Sequence, residues 1–211
     1  MLLWIKNSVF VTLLAMILEI VVAVPAAYSI ARFRFRLRPW LLYSVLATQI
    51  IPGPLLAVPL YMLFRWYGLT DSLIGLGIVN AGLVLPQGTW ILTGFFQTIP
   101  EEIFEAGRVD GCSEFSLFLR LALPVSSPAL LTILALCFFT TWNEFLFAYI
   151  LISSPDKWTG SVGLSTFVGQ FITRWQEIMA AATVYSVVPI LAYVILRGYI
   201  ERGLIEGAVK G

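Results

Sequence analysis

The sequence has no histidine, two cysteines and few charges: Asp, Glu, Lys and Arg make up 12% of its 211 residues. Each scarcity excludes something. Without histidine the commonest general base and metal ligand is gone, and haem, zinc and Ser-His-Asp chemistry fall away with it. Cys112 and Cys137 form neither a CxxC pair nor a metal-ligand spacing, and they read as small apolar fillers. The charged fraction is about half that of a soluble domain. Net charge is +1, and no basic patch alternates with aromatics on a polar face, so nucleic acid is not an expected partner. A GxxxxGK[ST] phosphate loop is also missing, which assigns any ATP hydrolysis to another chain.

What is present is apolar. Hydrophobic residues make up 59% of the chain and mean hydropathy is +0.91. In water such a chain would expose large apolar patches, whereas in a bilayer the lipid-facing positions can stay apolar. A spanning helix needs about 20 mostly apolar residues. Five stretches qualify: 8–31, 40–64, 73–96, 125–152 and 178–196. The first is too long for a signal-peptide core and carries only Lys6 before it, so it reads as a span. The short alternating segments of a transmembrane barrel are not seen. The expected fold class is all-α, a polytopic transmembrane helical bundle.

Arg32, Arg34, Arg36 and Arg38 lie in the first connection, Arg108 and Arg120 in the third, and Arg197, Arg202 and Lys210 in the tail. These nine basic residues fall on one side, against Lys6, Arg65, Lys157 and Arg174 on the other. The Lys/Arg excess marks the cytoplasm, so the third connection and the C-terminus are expected inside and the N-terminus outside. Trp4, Trp40, Trp66, Trp158 and Trp175 sit near span ends, as an interfacial belt requires. Pro25, Pro52, Pro54, Pro59, Pro86 and Pro189 punctuate the spans. They admit two readings, kinked packing or irregular helices lining a transport path.

The stretch 98–124, TIPEEIFEAGRVDGCSEFSLFLRLALP, carries the most information. Pro100 suits a first helical turn, and Glu101 and Glu102 suit its positive end. Gly111 supplies a stop and Ser113 a cap for a second helix, with Phe115, Phe118, Leu119 and Ala122 on roughly one face. Pro124 hands over to the next span. Ala106 and Gly107 are small enough to let another backbone approach, and Glu101, Glu102 and Glu105 are placed to meet basic groups on a partner. An amphipathic connection resting on headgroups is the other reading, although acids there sit poorly beside anionic lipid.

EAGRVDGCSEFSLFLRLALP resembles the EAA signature of binding-protein-dependent ABC importer permeases, with Glu105, Ala106, Asp110, Gly111, Leu123 and Pro124 matching. Gly107 and Cys112 stand where alanine is usual. AAYSIARFRFRLRPWL resembles that family's second helix and basic loop, TTWNEFLFAYIL the fifth-helix segment of maltose-type second subunits, and RGLIEGAVKG the Gly-rich ending of the same subunit. The resemblance implies that 105–111 is a coupling helix seated in a cytoplasmic ATPase subunit. It also implies a second permease subunit as heterodimer partner, two cytoplasmic ATP-binding subunits and an extracytoplasmic sugar-binding protein. ATP and Mg would belong to the ATPase, with no cofactor on this chain. The location implied is a bacterial or archaeal cell (inner) membrane. The family has six spans against five here, so the resemblance implies a single transmembrane domain over 1–211 that lacks the first helix. A fragment, a misplaced start codon and a true short form would each explain that.

A charge at mid-bilayer costs about 2.5–3.5 kcal/mol on insertion scales, which makes Glu19 and Glu144 conspicuous. A continuous helix would put Cys137, Thr140, Glu144, Phe147 and Leu151 on one face. Thr140, Trp142, Asn143 and Glu144 are therefore candidates for a sugar path, with packing across helices as the other reading. Gln49, Asn80 and Gln87 are further polar candidates. The long stretch 153–177 either faces the sugar-binding protein, as the resemblance implies, or rests on the membrane. The expected function is carbohydrate import by alternating access, with no catalysis by this chain. The alternative is a proton-coupled secondary transporter using Glu19 or Glu144.

Overall fold

A computed structural model of the chain describes residues 1–33, 35–169 and 174–208, with side chains as far as residue 195 and at 197. Among them no strand occurs, and helices succeed one another as α1 (Leu2–Arg32), α2 (Arg38–Ala47), α3 (Gly53–Trp66), α4 (Leu73–Thr98), α5 (Glu101–Val109), α6 (Glu114–Leu117), α7 (Leu123–Val125), α8 (Ser127–Trp142), α9 (Leu146–Leu151), α10 (Gly160–Ser165) and α11 (Trp175–Ala208). Arg34 of the basic run and the end of the Gly-rich tail, 209–211, lie outside the described residues.

The helices α1, α4 and the Trp175–Ile195 part of α11 are each long and apolar enough to cross a membrane, and two bent pairs raise the number of candidate spans to as many as five. The expected second span is not one helix. It turns by 100° between Arg38–Ile50 and Gly53–Trp66. Pro52 explains the break: it lacks an N–H and pushes the residue before it out of the helical region, so Ile51 is extended at φ −76°, ψ 118°, while Pro54 sits in the first turn of α3. The expected fourth span, 125–152, is also interrupted. Its main helix α8 ends at Trp142, where Asn143 turns its side-chain amide back onto the Phe139 carbonyl at 2.8 Å. Pro25, Pro59, Pro86 and Pro189, by contrast, sit inside helices that continue past them.

Packing centres on α1 and α4, which lie together along their length, with α8 against both and α11 against α8. Lipid offers no hydrophobic drive between helices, so close approach of small residues has to hold them. Ala15, Ala23 and Ala27 of α1 are fully buried, and Gly77 and Gly88 of α4 leave room for Leu14 and Glu19. One end of this pair carries a cluster of Tyr28, Phe96, Phe104, Leu117 and Ile133. The other end is filled by Val11, Leu76, Phe147, Leu151 and Val162.

Candidate functional site

Past the C-terminal end of α4 the chain turns through Ile99 and Pro100 into α5, with Pro100 just before the first helical residue. A single buried residue, Phe104, anchors α5, while Glu102, Glu105, Ala106, Val109 and Asp110 are exposed. Gly111 ends the helix at φ +82°, a left-handed conformation that side chains disfavour, and the closing bonds run from its amide to Arg108 and from the Cys112 amide to Gly107, each 3.0 Å. Ser113 then caps the next helix by accepting from the Ser116 amide at 3.3 Å.

That second helix differs from expectation. After the four residues of α6 it widens into a π turn over Phe118–Ala122 before α7. Pro124 has no N–H to offer the carbonyl four residues back, and the ladder is re-spaced just before it. The buried positions are consequently Leu117 and Ala122, while Phe115 and Leu119 are exposed and the expected single face is lost. Gly107 also serves differently: a Cβ there would meet Leu117 Cδ2, so its small size seats α6 within the chain. Leu123 is half-buried and Pro124 exposed.

Ion pairs tie the segment together. Glu101 accepts from Arg32 at 2.9 Å and from Arg108 at 3.0 Å, and Arg108 reaches across the Gly111 turn to Glu114 at 2.8 Å. Glu114 and Glu101 hold the Arg108 guanidinium more firmly protonated than usual.

The face expected to run from Cys137 through Thr140 and Glu144 to Leu151 is interrupted, because α8 ends at Trp142. Trp142 is buried, stacked on Tyr185 at 4.7 Å between centroids and on Phe138 at 5.6 Å. Thr140 and Asn143 are exposed. Glu144 is half-buried at the break after α8, where its carboxylate accepts from the Phe147 and Ala148 amides at 2.7 and 3.0 Å and caps α9. Capping thus explains this intramembrane acid. Glu19 is 1% exposed, with Oε1 against Gly88 and Oε2 without a partner, beside a narrow crevice without room for a water molecule that Gln87 and Cys137 also line. Asn80 is buried and bonds the Leu76 carbonyl of its own helix, and Gln49 bonds the Leu83 carbonyl.

At the opposite end of α1 the stretch from 153 onward is anchored rather than loose. Asp71, in the left-handed region at φ 52°, accepts from the Ser153 and Ser154 amides at 3.0 and 2.9 Å, and from Lys157 at 2.9 Å. Asn7 donates to the carbonyls of Asp156 and Trp158, each at 2.9 Å, and Ser8 accepts from the Gly160 amide at 2.9 Å. Tyr185 closes the cluster by donating to the Trp142 carbonyl at 2.8 Å. Sequence reasoning missed Arg32 as a pairing residue, Asp71 and Tyr185. Arg32 is one arginine among four at alternating positions, and nothing local sets Asp71 or Tyr185 apart.

Among the described residues, no group of three or more acidic or cysteine side chains converges. The arrangement is that of a polytopic membrane protein with a short helix carried clear of the bundle on a glycine turn. Residues 19–206 match the family described as "Binding-protein-dependent transport system inner membrane component", and the chain belongs to that family. It is 33% identical over 210 residues to the sulfoquinovosyl glycerol transport system permease protein SmoH of Agrobacterium fabrum, covering 99% of this chain and 73% of the relative. It is 29% identical over 208 residues to the diacetylchitobiose uptake system permease protein DasC of Streptomyces coelicolor, covering 99% and 75%. Its fold matches a chain of a bacterial ABC transporter involved in import of the acidic polysaccharide alginate, at TM-score 0.77 and 21% identity over 95% of this chain and 74% of the other. The protein is thus a multi-pass ABC transporter permease subunit.

Proposed function

We propose that this chain imports carbohydrate as one permease of a heterodimer, driven by two cytoplasmic ATP-binding subunits and supplied by an extracytoplasmic sugar-binding protein. The observation that carries the reading is α5. It is a nine-residue helix held by one buried aromatic, ended by a left-handed glycine, with Glu102, Glu105, Ala106 and Asp110 free on its outer surface. A short helix that buries one residue and presents so polar an outer surface is suited to docking in a cleft of a soluble subunit. ATP and Mg act on that subunit. Closure of the ATPase pair moves α5, and the spans reorient between outward and inward openings. The carbohydrate class is supported by SmoH and DasC, whose names both specify sugar derivatives. The C-terminus lies in the cytoplasm with α5, and Thr140 and Asn143, exposed on the α8 side, are the candidates for touching substrate.

The test is a photo-reactive residue at position 105 in native membranes. Capture of an ATP-binding subunit is the expected result, while stable insertion with no capture removes the reading. A proton-coupled secondary transporter is less favoured, because the chain belongs to a binding-protein-dependent transport family and Glu144 is engaged by two backbone amides.

A further inference from the structure

We propose that Arg32 is the positioning residue that makes α5 and α1 move as one body. This rests on the coupling role proposed for α5.

Arg32 is the last residue of α1, and its side chain is only 9% exposed. One guanidinium nitrogen donates to Glu101 Oε2 at 2.9 Å, and the other donates to the Ile99 carbonyl at 2.7 Å. Its Cζ lies 3.8 Å from the centroid of the Phe104 ring. A single side chain therefore holds the residue before Pro100, the first residue of α5 and the one residue by which α5 is buried. The planar fork and the stacking face are both used, which a lysine cannot reproduce.

The contact continues in both directions. One turn back along α1, Tyr28 packs on Phe104 at 6.4 Å and on Phe118 at 4.9 Å between centroids. Forward, the second oxygen of Glu101 takes Arg108, and Arg108 takes Glu114 beyond the glycine turn. The whole segment from Ile99 to Phe118 is thereby attached to the C-terminal turns of α1.

The covalent route runs through a short joint. Between α4 and α5 stand Ile99 at φ −72°, ψ 123° and Pro100 at φ −57°, ψ 140°, both extended and outside either helix. The proline ring fixes the Pro100 φ and confines Ile99 to the extended region, so the freedom left at this joint is rotation about the Pro100 ψ, which would let α5 swing without moving α4. The Arg32 fork spans this joint, since it holds Ile99 on one side and Glu101 on the other. Force on α5 then enters α1, which lies along the length of α4.

The experiment uses the assembled complex, with both permeases and the ATP-binding subunits, in lipid nanodiscs. Cys112 and Cys137 are replaced by alanine, and spin labels are placed at exposed Glu102 on α5 and exposed Ile17 on α1. The distance is measured without nucleotide and with ADP–vanadate trapped. The wild-type pair should give one narrow distance that is the same in both states. In Arg32→Gln the narrow distance should be lost, with a shift on trapping. Glu101→Gln leaves the buried guanidinium in place and covers the case in which Arg32→Gln fails to assemble. It should broaden the distance in the same sense but less, because the Ile99 bond remains. A narrow, unchanged distance in the variants overturns the inference, and so does a wild-type distance that itself changes on trapping. Cross-linking from position 105 in the same complex separates the two ideas. If capture of the ATP-binding subunit is lost in the wild type, the coupling role falls and Arg32 with it. If capture persists while the distances ignore Arg32, only the positioning role falls.

Discussion

The two ends of α1 are held by different chemistry. At the Arg32 end, apart from the Arg32 bond to the Ile99 carbonyl, side chain meets side chain, and three of the four charged partners are roughly half exposed: Glu101 at 52%, Glu114 at 45% and Arg108 at 42%. At the Asn7 end, side chains grip backbone. Asp71 takes two amides, Asn7 gives to two carbonyls, Ser8 takes the Gly160 amide and Tyr185 gives to the Trp142 carbonyl. Exposed ion pairs are worth about 0–1 kcal/mol each, whereas hydrogen bonds to a charged group are worth about 1.5–3 kcal/mol. Backbone anchoring fixes the course of a chain. Side-chain pairing fixes the orientation of one element against another. One end is built to stay, and the other to be moved.

The largest effect should come from breaking the turn at the movable end. Gly111 is at φ +82° with nothing within 4 Å of a Cβ built there, so backbone conformation rather than space opposes a substitution. Left-handed geometry costs an ordinary residue about 1–2 kcal/mol, and a β-branched one fits it worst. Gly111→Val should abolish transport while the chain still inserts. Asp tolerates the left-handed region better, so Gly111→Asp should keep more of the turn but place a charge at the docking surface, and transport should again be lost. Uptake by reconstituted complex, normalised to inserted protein, checks both. Normal uptake by either variant would sink the idea that the turn presents α5 to a partner.

The fixed end should respond in stability rather than in coupling. Asp71→Ala removes the acceptor of the Ser153 and Ser154 amides, the Ser154 hydroxyl and Lys157. The expected loss is about 1.5–3 kcal/mol, towards the lower figure because the side chain is 31% exposed. Asp71→Asn keeps the left-handed preference and an acceptor oxygen but removes the charge, so it should fall between wild type and alanine. Thermal unfolding in nanodiscs orders the three. If asparagine is as damaging as alanine, the charge is what anchors the segment. If it equals wild type, the amide bonds alone do so.

The same contrast explains what can be read from the sequence. The α5 end is legible because its signals are local: acids at a helix start, Gly111 at its end, Ser113 three residues before the amide it caps. Long apolar runs likewise mark α1, α4 and α11. Non-local geometry is not legible. Glu144 reads as one step on a continuous polar face, yet the helix stops at Trp142 and the carboxylate caps α9 instead. Gly107 reads as room for a partner, but Leu117 occupies that room. Asp71 and Lys157 are 86 residues apart, and no periodicity connects them. Arg32 stands in an alternating run of arginines, and only the fold shows that it turns inward.

The smallest effect should be that of pH on the fixed end. Lys157 first, then the Ser154 hydroxyl and the Ser154 and Ser153 amides, hold the Asp71 carboxyl well below the usual carboxylate range. Asp71 in turn raises Lys157. A depressed carboxylate contributes its stability in full above the unfolded-state value, about 3.9, and loses it as pH falls through the folded value. A raised lysine contributes in full below about 10.4 and loses it as pH rises through its folded value. Between about pH 5 and 9 both groups are charged in folded and unfolded chains alike, so the anchor should not titrate there. Amide protection factors at Ser153 and Ser154, corrected for intrinsic exchange, should be flat across that range and decline only in stronger acid. A step in protection near pH 6 or 7 would mean that another group controls this end, and its contrast with the α5 end would then need a different explanation from backbone anchoring by Asp71.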